Sequence, residues 1–419
     1  MTGAAHDVVV IGAGLAGLRA AARLAGAGLD VLVVESSDDV GGRQRTDTVD
    51  GFLLDRGFQV LNPAYPAVRR WVDVDDLGMR SFPVGVRVRR ESGTAVLRHP
   101  LRHPTGIPAT LSGGIVSPRQ LVALARWITP ALVRPRRAIA GSDRSLREGW
   151  DRAGLHGPLR SEVLEPFLAG VLAEGEGATS DVFAQLLVRM FAIGRPGVPE
   201  HGIAALPAQL ARTARATGAE IRVRTRVAGV TTRADAVELD VVGDDPLRAR
   251  SVVVAVGPAD VGDLIELPRP ATRGLQTWWF AADAPPTASA LLSVDGRRRG
   301  PIVNTVVMSN TAPAYAPLGR HLIEATCLLH PGASGASENE VRRQLGEIWQ
   351  TGTADWELLR RDDIPHALPA QAPPLRVVSP SRIGDRLYVA GDHRDTASIQ
   401  GALVSGERAA RAVLAAARR

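Results

Sequence analysis

Hydrophobic positions change their period several times along the chain. Residues 7–11 form a nearly continuous apolar run, as suits a strand buried on both faces. A glycine loop follows, and residues 15–27 then carry an alanine-rich helical pattern that Gly28 closes. Residues 31–34 read as a second buried strand with Glu35 at its C-terminal end. From about 100 to 195 the chain is rich in Leu, Ala, Arg and Pro, with helical periodicity over 120–128 and 180–193. This predicts a helical lobe inserted between strands. An α/β pattern returns with a helix near 208–217 and strands over 220–230, 236–241 and 251–256. Residues 275–330 read as an antiparallel meander, with turns at Asp295-Gly296 and Pro317-Leu318-Gly319. Ser337 and Glu340 form a capping box before a helix whose apolar face is Val341, Leu345, Ile348 and Trp349. A last strand, 387–390, leads through Gly391 and Asp392 into a helix starting near Gly401.

Composition narrows the classes. At 419 residues and 45% hydrophobic, the chain can fill two or three lobes. Its one cysteine, Cys327, excludes a disulfide framework or cysteine metal cluster. All 50 basic residues are arginine, so mechanisms that need a lysine are excluded. A net charge of +6 over this length is modest, and only 4% of residues are aromatic, so nucleic acid is not an expected partner. The first apolar run has no basic segment before it, and no run of 18 apolar residues occurs. A cytoplasmic location, with at most peripheral membrane contact, is the expectation.

Gly12, Gly14 and Gly17 spell G-x-G-x-x-G between the first strand and the first helix. The first glycine permits a tight turn, the second lets a pyrophosphate approach the backbone, and the third lets helix pack on strand. The loop Gly12, Ala13, Gly14, Leu15, Ala16 and Gly17 then offers free amides at a helix N-terminus. Glu35, with Ser36 beside it, stands 18 residues after Gly17, where a carboxylate can accept from ribose hydroxyls; this favours FAD or NAD over NADP. Two later features favour FAD. Gly41, Gly42 and Arg43 suit a second approach to the pyrophosphate. Gly391-Asp392 can bring a carboxylate to the ribityl hydroxyls, and the helix N-terminus at Ser398, Ile399 and Gly401 can face the pyrimidine end of a flavin ring.

At these residues the chain resembles the FAD-dependent amine oxidase superfamily, which includes flavin amine oxidases, protoporphyrinogen oxidases and carotenoid desaturases. The nearest likeness is to plant-type phytoene desaturases, through Asp55-Arg-Gly57-Phe58-Gln59-Val60 and through Ser398-Ile-Gln-Gly-Ala-Leu-Val-Ser-Gly406. The resemblance implies an α/β fold. A FAD-binding Rossmann-like domain of the glutathione-reductase type (1–80, 200–265 and 380–419) would pair with a mixed sheet-plus-helix substrate domain (81–199 and 266–379). It further implies non-covalent FAD, with Gly57, Phe58, Gln59 and Val60 beside the isoalloxazine, Val227 at the adenine, and Ala255 and Pro258 against the cofactor. The activity implied is hydride transfer from a substrate C–H to flavin N5, in a dehydrogenase or desaturase acting on an apolar small molecule. Oxygen or a quinone would be the electron acceptor. Two alternatives stay open: a flavin amine oxidase, and a non-redox FAD-dependent isomerase or binding protein. The missing lysine, and Ser398 where an amine-caging aromatic is usual, weigh against the amine oxidase.

No catalytic acid or base is identified. His366, in a turn over 363–369, is either a cavity residue or structural; Trp278 or Trp279 lines a pocket or fills core. His393 and Arg394 brace a phosphate or cap a loop. Glu162, Glu165, Glu174 and Glu176 are read as a solvated face rather than a metal site. Arg102, Arg119, Arg126, Arg134, Arg136 and Arg137 lie among apolar positions over 101–137. They form either the ordinary surface of the helical lobe or a peripheral membrane patch.

Overall fold

The computed structural model describes residues 6–98 and 114–418; Arg102 and the start of the expected helical lobe lie outside them. Two seven-stranded sheets organise the chain. The first is parallel at its centre. His6–Ile11 lies between Val31–Val34 and Leu247–Val254, Glu220–Arg222 extends one side, and Leu387–Val389 pairs with the C-terminal half of Leu247–Val254. Val8, Val9 and Val10 are fully buried, as expected of a strand with helices or strands over both faces. An antiparallel pair, Val227–Thr232 and Val237–Val241, completes this sheet.

The glycine-loop helix, Leu15–Ala25, packs between the C-terminal helix Ile399–Ala417 and the helix Ala205–Ala216. It is shorter than the pattern over 15–27 suggests: Gly26 caps it while still right-handed, and Gly28, at φ +87°, turns the chain. A Cβ on Gly406 would collide with the Ala16 carbonyl, so the first and last helices touch backbone to backbone only because this position is bare. Arg19 to Glu407 (2.5 Å) locks the pair, and Glu407, 6% exposed, also receives Arg411.

The second sheet is ordered Glu357–Pro369, Thr272–Ala282, His321–Leu329, Ile302–Val307, Ser293–Asp295, Gly85–Arg90, Gly93–Arg98, antiparallel except where Ser293–Asp295 meets Gly85–Arg90. One face carries Trp278, Phe280, Ile323, Ala325 and Cys327 against the helix Glu338–Trp349, whose capping box and apolar face are as the sequence predicts. The other carries Trp279, Ala281, Val306 and Leu322 toward Phe52, Leu54, Phe58 and Val60. Helices Pro118–Val133, Leu146–Ala153, Glu165–Leu172 and Asp181–Ile193 form the helical lobe around Trp127, Trp150 and Phe183.

Two expectations need correction. Residues 220–230 are not one strand. Arg224 adopts φ +53°, and the amides of Arg224 and Thr225 donate to the carbonyls of Ser37 and Glu35, so the chain leaves the parallel edge and restarts at Val227 as an antiparallel strand. Residues 363–369 are not a turn. They end the strand Glu357–Pro369, whose edge position lets Pro365 lack an amide without breaking a ladder between two neighbours.

Candidate functional site

The loop between the first strand and first helix is built around what its glycines omit. Gly12 sits at φ +102°, and a Cβ there would come within 2.8 Å of the Ala255 carbonyl. A Cβ on Gly17 would run into the Gly12 carbonyl, so turn and helix are in contact. Gly14 differs: a Cβ there meets nothing within 4 Å. No side chain caps this helix, which leaves its first amides pointing into that open space. Gly41 and Gly42, both at positive φ, close the other side; the Gly41 amide donates to the Ala13 carbonyl (2.9 Å), and Gly42 packs on Gly14. Two glycine backbones thus face one gap beside a bare helix terminus, a cradle whose donors fit a pyrophosphate.

Glu35, 7% exposed, holds the rim. One carboxylate oxygen accepts from the Ala13 amide (2.8 Å) and keeps a free lone pair for a hydroxyl. The other accepts from the Ser37 amide (2.9 Å) and more distantly from Ser36 (3.4 Å). Val227, buried, stands two residues beyond the Thr225 amide that binds the Glu35 carbonyl, so it belongs to the Glu35 end of the cradle. Ala255, also buried, continues the central strand, its amide donating to the Ile11 carbonyl (2.8 Å).

The opposite end is assembled at Arg43. Its guanidinium donates to the Asp392 carboxylate (2.6 Å) and to the Ala367 carbonyl (2.7 Å), while its own carbonyl accepts from Gln59 (2.6 Å). One arginine therefore ties together the N-terminal glycine segment, the Gly57–Val60 segment, the edge strand and the C-terminal motif. Gly57, at φ +94°, passes beneath that strand, where a Cβ would come within 2.7 Å of Ile364. Phe58 meets Phe82 edge to face. Beyond Asp392, the Gly391 amide donates to Ser405 (3.1 Å), and Ser398 caps the C-terminal helix by accepting from the Gly401 amide (3.1 Å), with Ile399 as the first helical residue. That N-terminus points its dipole toward the same region.

Sequence reading missed several residues that hold this arrangement. Asp55, fully buried, accepts from Thr46 (2.6 Å), the Ile203 amide (3.0 Å) and Tyr315 (3.0 Å), joining the first lobe to the second. Arg360 donates to the Asp55 carbonyl (3.0 Å) and to Asp47 (2.7 Å). Gln400 accepts from the Ala67 amide (2.8 Å). Burial pushes the Asp55 carboxyl up to about 6 from its usual 3.8, against its hydrogen bonds. The folded protein therefore holds this proton more tightly than the unfolded chain does. The stability it contributes is complete below about pH 4 and lost as pH rises through about 6, worth about 3 kcal/mol. Asp55→Asn should remove this slope: urea midpoints of native and variant proteins should diverge between pH 4 and pH 7, and parallel curves would refute the assignment.

His366 is exposed and bonds Thr272 (2.8 Å). Trp278 and Trp279 are core residues on opposite sheet faces. His393 has both ring nitrogens buried without a partner, and burial pushes it down to about 4, so it is neutral; Arg394 donates to the Pro380 carbonyl. Glu162 pairs with Arg90 and Glu165 with Arg160; Glu174 folds its own loop through the amides of Glu176 and Thr179, and Glu176 lies near Arg147. Among the described residues no cluster suits a metal ion. Glu324, fully buried on the same sheet face as Trp279, is pushed well above the carboxylate range by burial and bonds Thr326.

Two narrow clefts bear on the site among the described residues. One, about 60 Å³, lies in the helical lobe among Arg147, Arg160, Arg298 and Glu165, where both Arg160 and Arg298 pair with Glu165. The other, narrower at about 10 Å³, opens at Ala397, next to Ser398, and is walled by Leu172, Phe183, Leu368 and Pro369 together with Thr179, Arg273 and Gln371. Its position beside the C-terminal helix terminus makes it the more relevant to chemistry there.

Comparison with known proteins agrees with this geometry. The family model described as flavin containing amine oxidoreductase matches residues 15–414. Hydroxysqualene dehydroxylase of Rhodopseudomonas palustris is 28% identical over a 462-residue alignment covering 98% of this chain and 99% of that one. Putrescine oxidase of Kocuria rosea is 46% identical, but over 77 residues, 18% of this chain. Among solved structures, an oxidoreductase from Methanosarcina mazei superposes with TM-score 0.75 at 20% identity, covering 98% of this chain and all of the other. The likeness in fold is thus to an α/β FAD-binding Rossmann-like domain with a substrate domain. The chain belongs to the flavin-containing amine oxidoreductase family of enzymes.

Proposed function

We propose that this oxidoreductase acts as a dehydrogenase or desaturase on an apolar small molecule, with FAD held non-covalently across the cradle from Glu35 to Asp392. The observation that carries the reading is the cradle itself, two glycine backbones facing one gap at an uncapped helix terminus; the narrow cleft beside Ser398, where Leu172, Phe183, Leu368 and Pro369 stand with Thr179, Arg273 and Gln371, supports the substrate half of it. Bound FAD would supply the electron sink, taking hydride at N5 from a substrate C–H. The chain's own contribution is to position and to exclude water. The Gly12–Gly17 and Gly41–Gly42 backbones and Arg43 would face the pyrophosphate. Glu35 and Ser36 would serve the adenosine ribose and Val227 the adenine. Asp392 would serve the ribityl chain. Gly57, Phe58, Gln59 and Val60, with Ala255, Ile399 and Gly401, would border the ring. Cys327 is buried against the helix Glu338–Trp349, which supports non-covalent attachment.

A relative matched over 99% of its length is named for hydroxysqualene, a largely hydrocarbon compound, which supports an apolar substrate. The putrescine oxidase match is confined to a short part of the chain, and this chain has no lysine and a serine cap at Ser398. Under anaerobic conditions, isoprenoid hydrocarbons or alcohols should bleach the yellow flavin, and putrescine should not. Bleaching by amines with peroxide release in air would replace this reading with an amine oxidase. Turnover with a spectrum that stays oxidised would point to a non-redox role. Oxygen or a quinone is the proposed acceptor.

A further inference from the structure

We propose that the helix Pro118–Val133, with the short helix Pro135–Ala140 after it, docks the enzyme on an anionic lipid surface. Charge distribution is the first ground. Of the chain's 50 basic and 44 acidic residues, seven arginines and no acid fall within 92–142. The rest holds 43 basic and 44 acidic residues, a net of −1. The chain's whole positive excess therefore sits in one stretch. Arg119 and Arg126 lie on the first helix, Arg136 and Arg137 on the second and Arg134 between the two, and all five are exposed. None of the five pairs with a carboxylate among the described residues, whereas Arg147 and Arg160 in the same lobe do.

The second ground is the face these arginines border. Ala123, Trp127, Ile128 and Ala131 turn inward, and Trp127 fixes the helix by donating to Asp181 (2.6 Å). At about 100° per residue the outward arc then holds Leu121, Leu132, Ala125, Thr129, Val122 and Val133, the Thr129 hydroxyl donating back to the Ala125 carbonyl (2.6 Å), with Arg126 and Arg119 along one edge. Leu121 is 45% exposed, Val122 69%, Leu132 36% and Val133 67%; these are four of the eight large hydrophobic side chains exposed among the described residues. A nucleic-acid surface needs the arginines but has no use for that apolar arc, whereas a bilayer with anionic headgroups is complementary to both. No helix among the described residues is long and apolar enough to cross a membrane, so the contact is interfacial. The helix packs on Asp181–Ile193, which contributes Phe183 to the cleft at Ala397, so a lipid-soluble compound would have a short route to that cleft.

The test is sedimentation of the full chain with vesicles. Phosphatidylcholine vesicles containing phosphatidylglycerol should bind the protein at least ~10-fold more tightly than phosphatidylcholine alone, and added salt should weaken the binding. L121S/V122S/L132S/V133S, all at exposed positions, should melt like the native protein and lose at least ~10-fold in vesicle binding, and R119Q/R126Q should lose the preference for phosphatidylglycerol. Indifference to phosphatidylglycerol, or serine variants that bind as the native protein does, would overturn the proposal. Equal binding to duplex DNA that the serine changes leave untouched would assign the face to nucleic acid instead. These outcomes do not depend on the flavin reading.

Discussion

Gly14→Val should yield a folded protein that purifies colourless. Gly14 has φ −73° and ψ 176°, an extended conformation that valine adopts readily, and a Cβ there meets no atom within 4 Å. Replacing an N-cap glycine by valine costs the helix about 1 kcal/mol, which a protein with this much buried core tolerates. The isopropyl group instead fills the gap that the Gly12–Gly17 and Gly41–Gly42 backbones enclose. If that gap receives the pyrophosphate, FAD affinity should fall by ~100-fold or more, about 2.8 kcal/mol. Gly17→Val is the control, because its side chain would meet the Gly12 carbonyl and damage the fold itself. Flavin absorbance after incubation with excess FAD, together with circular dichroism, separates the two. A yellow Gly14→Val protein with native affinity would remove the cradle from the cofactor site.

Arg43→Met should give the largest loss of stability among changes to half-exposed side chains near the site. The Asp392 side chain is 5% exposed and that of Arg43 34%. Removing the guanidinium strands a buried carboxylate, a situation that costs 3–5 kcal/mol when both partners are fully buried. Since water reaches Arg43, about 2 kcal/mol is the expectation for this pair. Asp392→Asn should cost less, because the amide oxygen can still accept from Arg43, whose charge, partly exposed, is not stranded away from water. Urea unfolding of the apoproteins gives the order directly. If Arg43→Met matched the native protein, the four segments meeting at this side chain would have to be held by something else. The holoproteins should diverge further, because both residues are proposed cofactor contacts.

Features set by a few adjacent residues were legible in the sequence. The strand–glycine–helix unit, the capping box at Ser337 and Glu340, the apolar face of Glu338–Trp349 and the turn at Gly319 each follow from local sterics or periodicity. Such rules failed where a distant partner decided the conformation. The break between Glu220–Arg222 and Val227–Thr232 arises because the carbonyls of Ser37 and Glu35 capture two amides, which a β-rich pattern through 220–230 does not reveal. The sequence suggests a turn over 363–369, yet these residues run as a strand, because the edge of a sheet, with an irregularity between Ile364 and Leu368, leaves Pro365 nothing to satisfy. Asp55 was visible only as part of a resemblance; its weight comes from Tyr315, 260 residues away, and from Ile203.

Residue order alone reveals a nucleotide-type glycine loop at Gly12–Gly17, a matching motif at Gly391–Gly401, and the absence of lysine chemistry. Each of these is a matter of residue type or short spacing. It takes the folded arrangement to see that Arg43 joins those two motifs, that Ser398 is spent capping a helix, that the tryptophan pair is core, and that one arginine-bordered helix keeps its apolar side outward. Side-chain direction and burial depend on which segments become neighbours, and in this chain the decisive neighbours are hundreds of residues apart, beyond the reach of any local pattern.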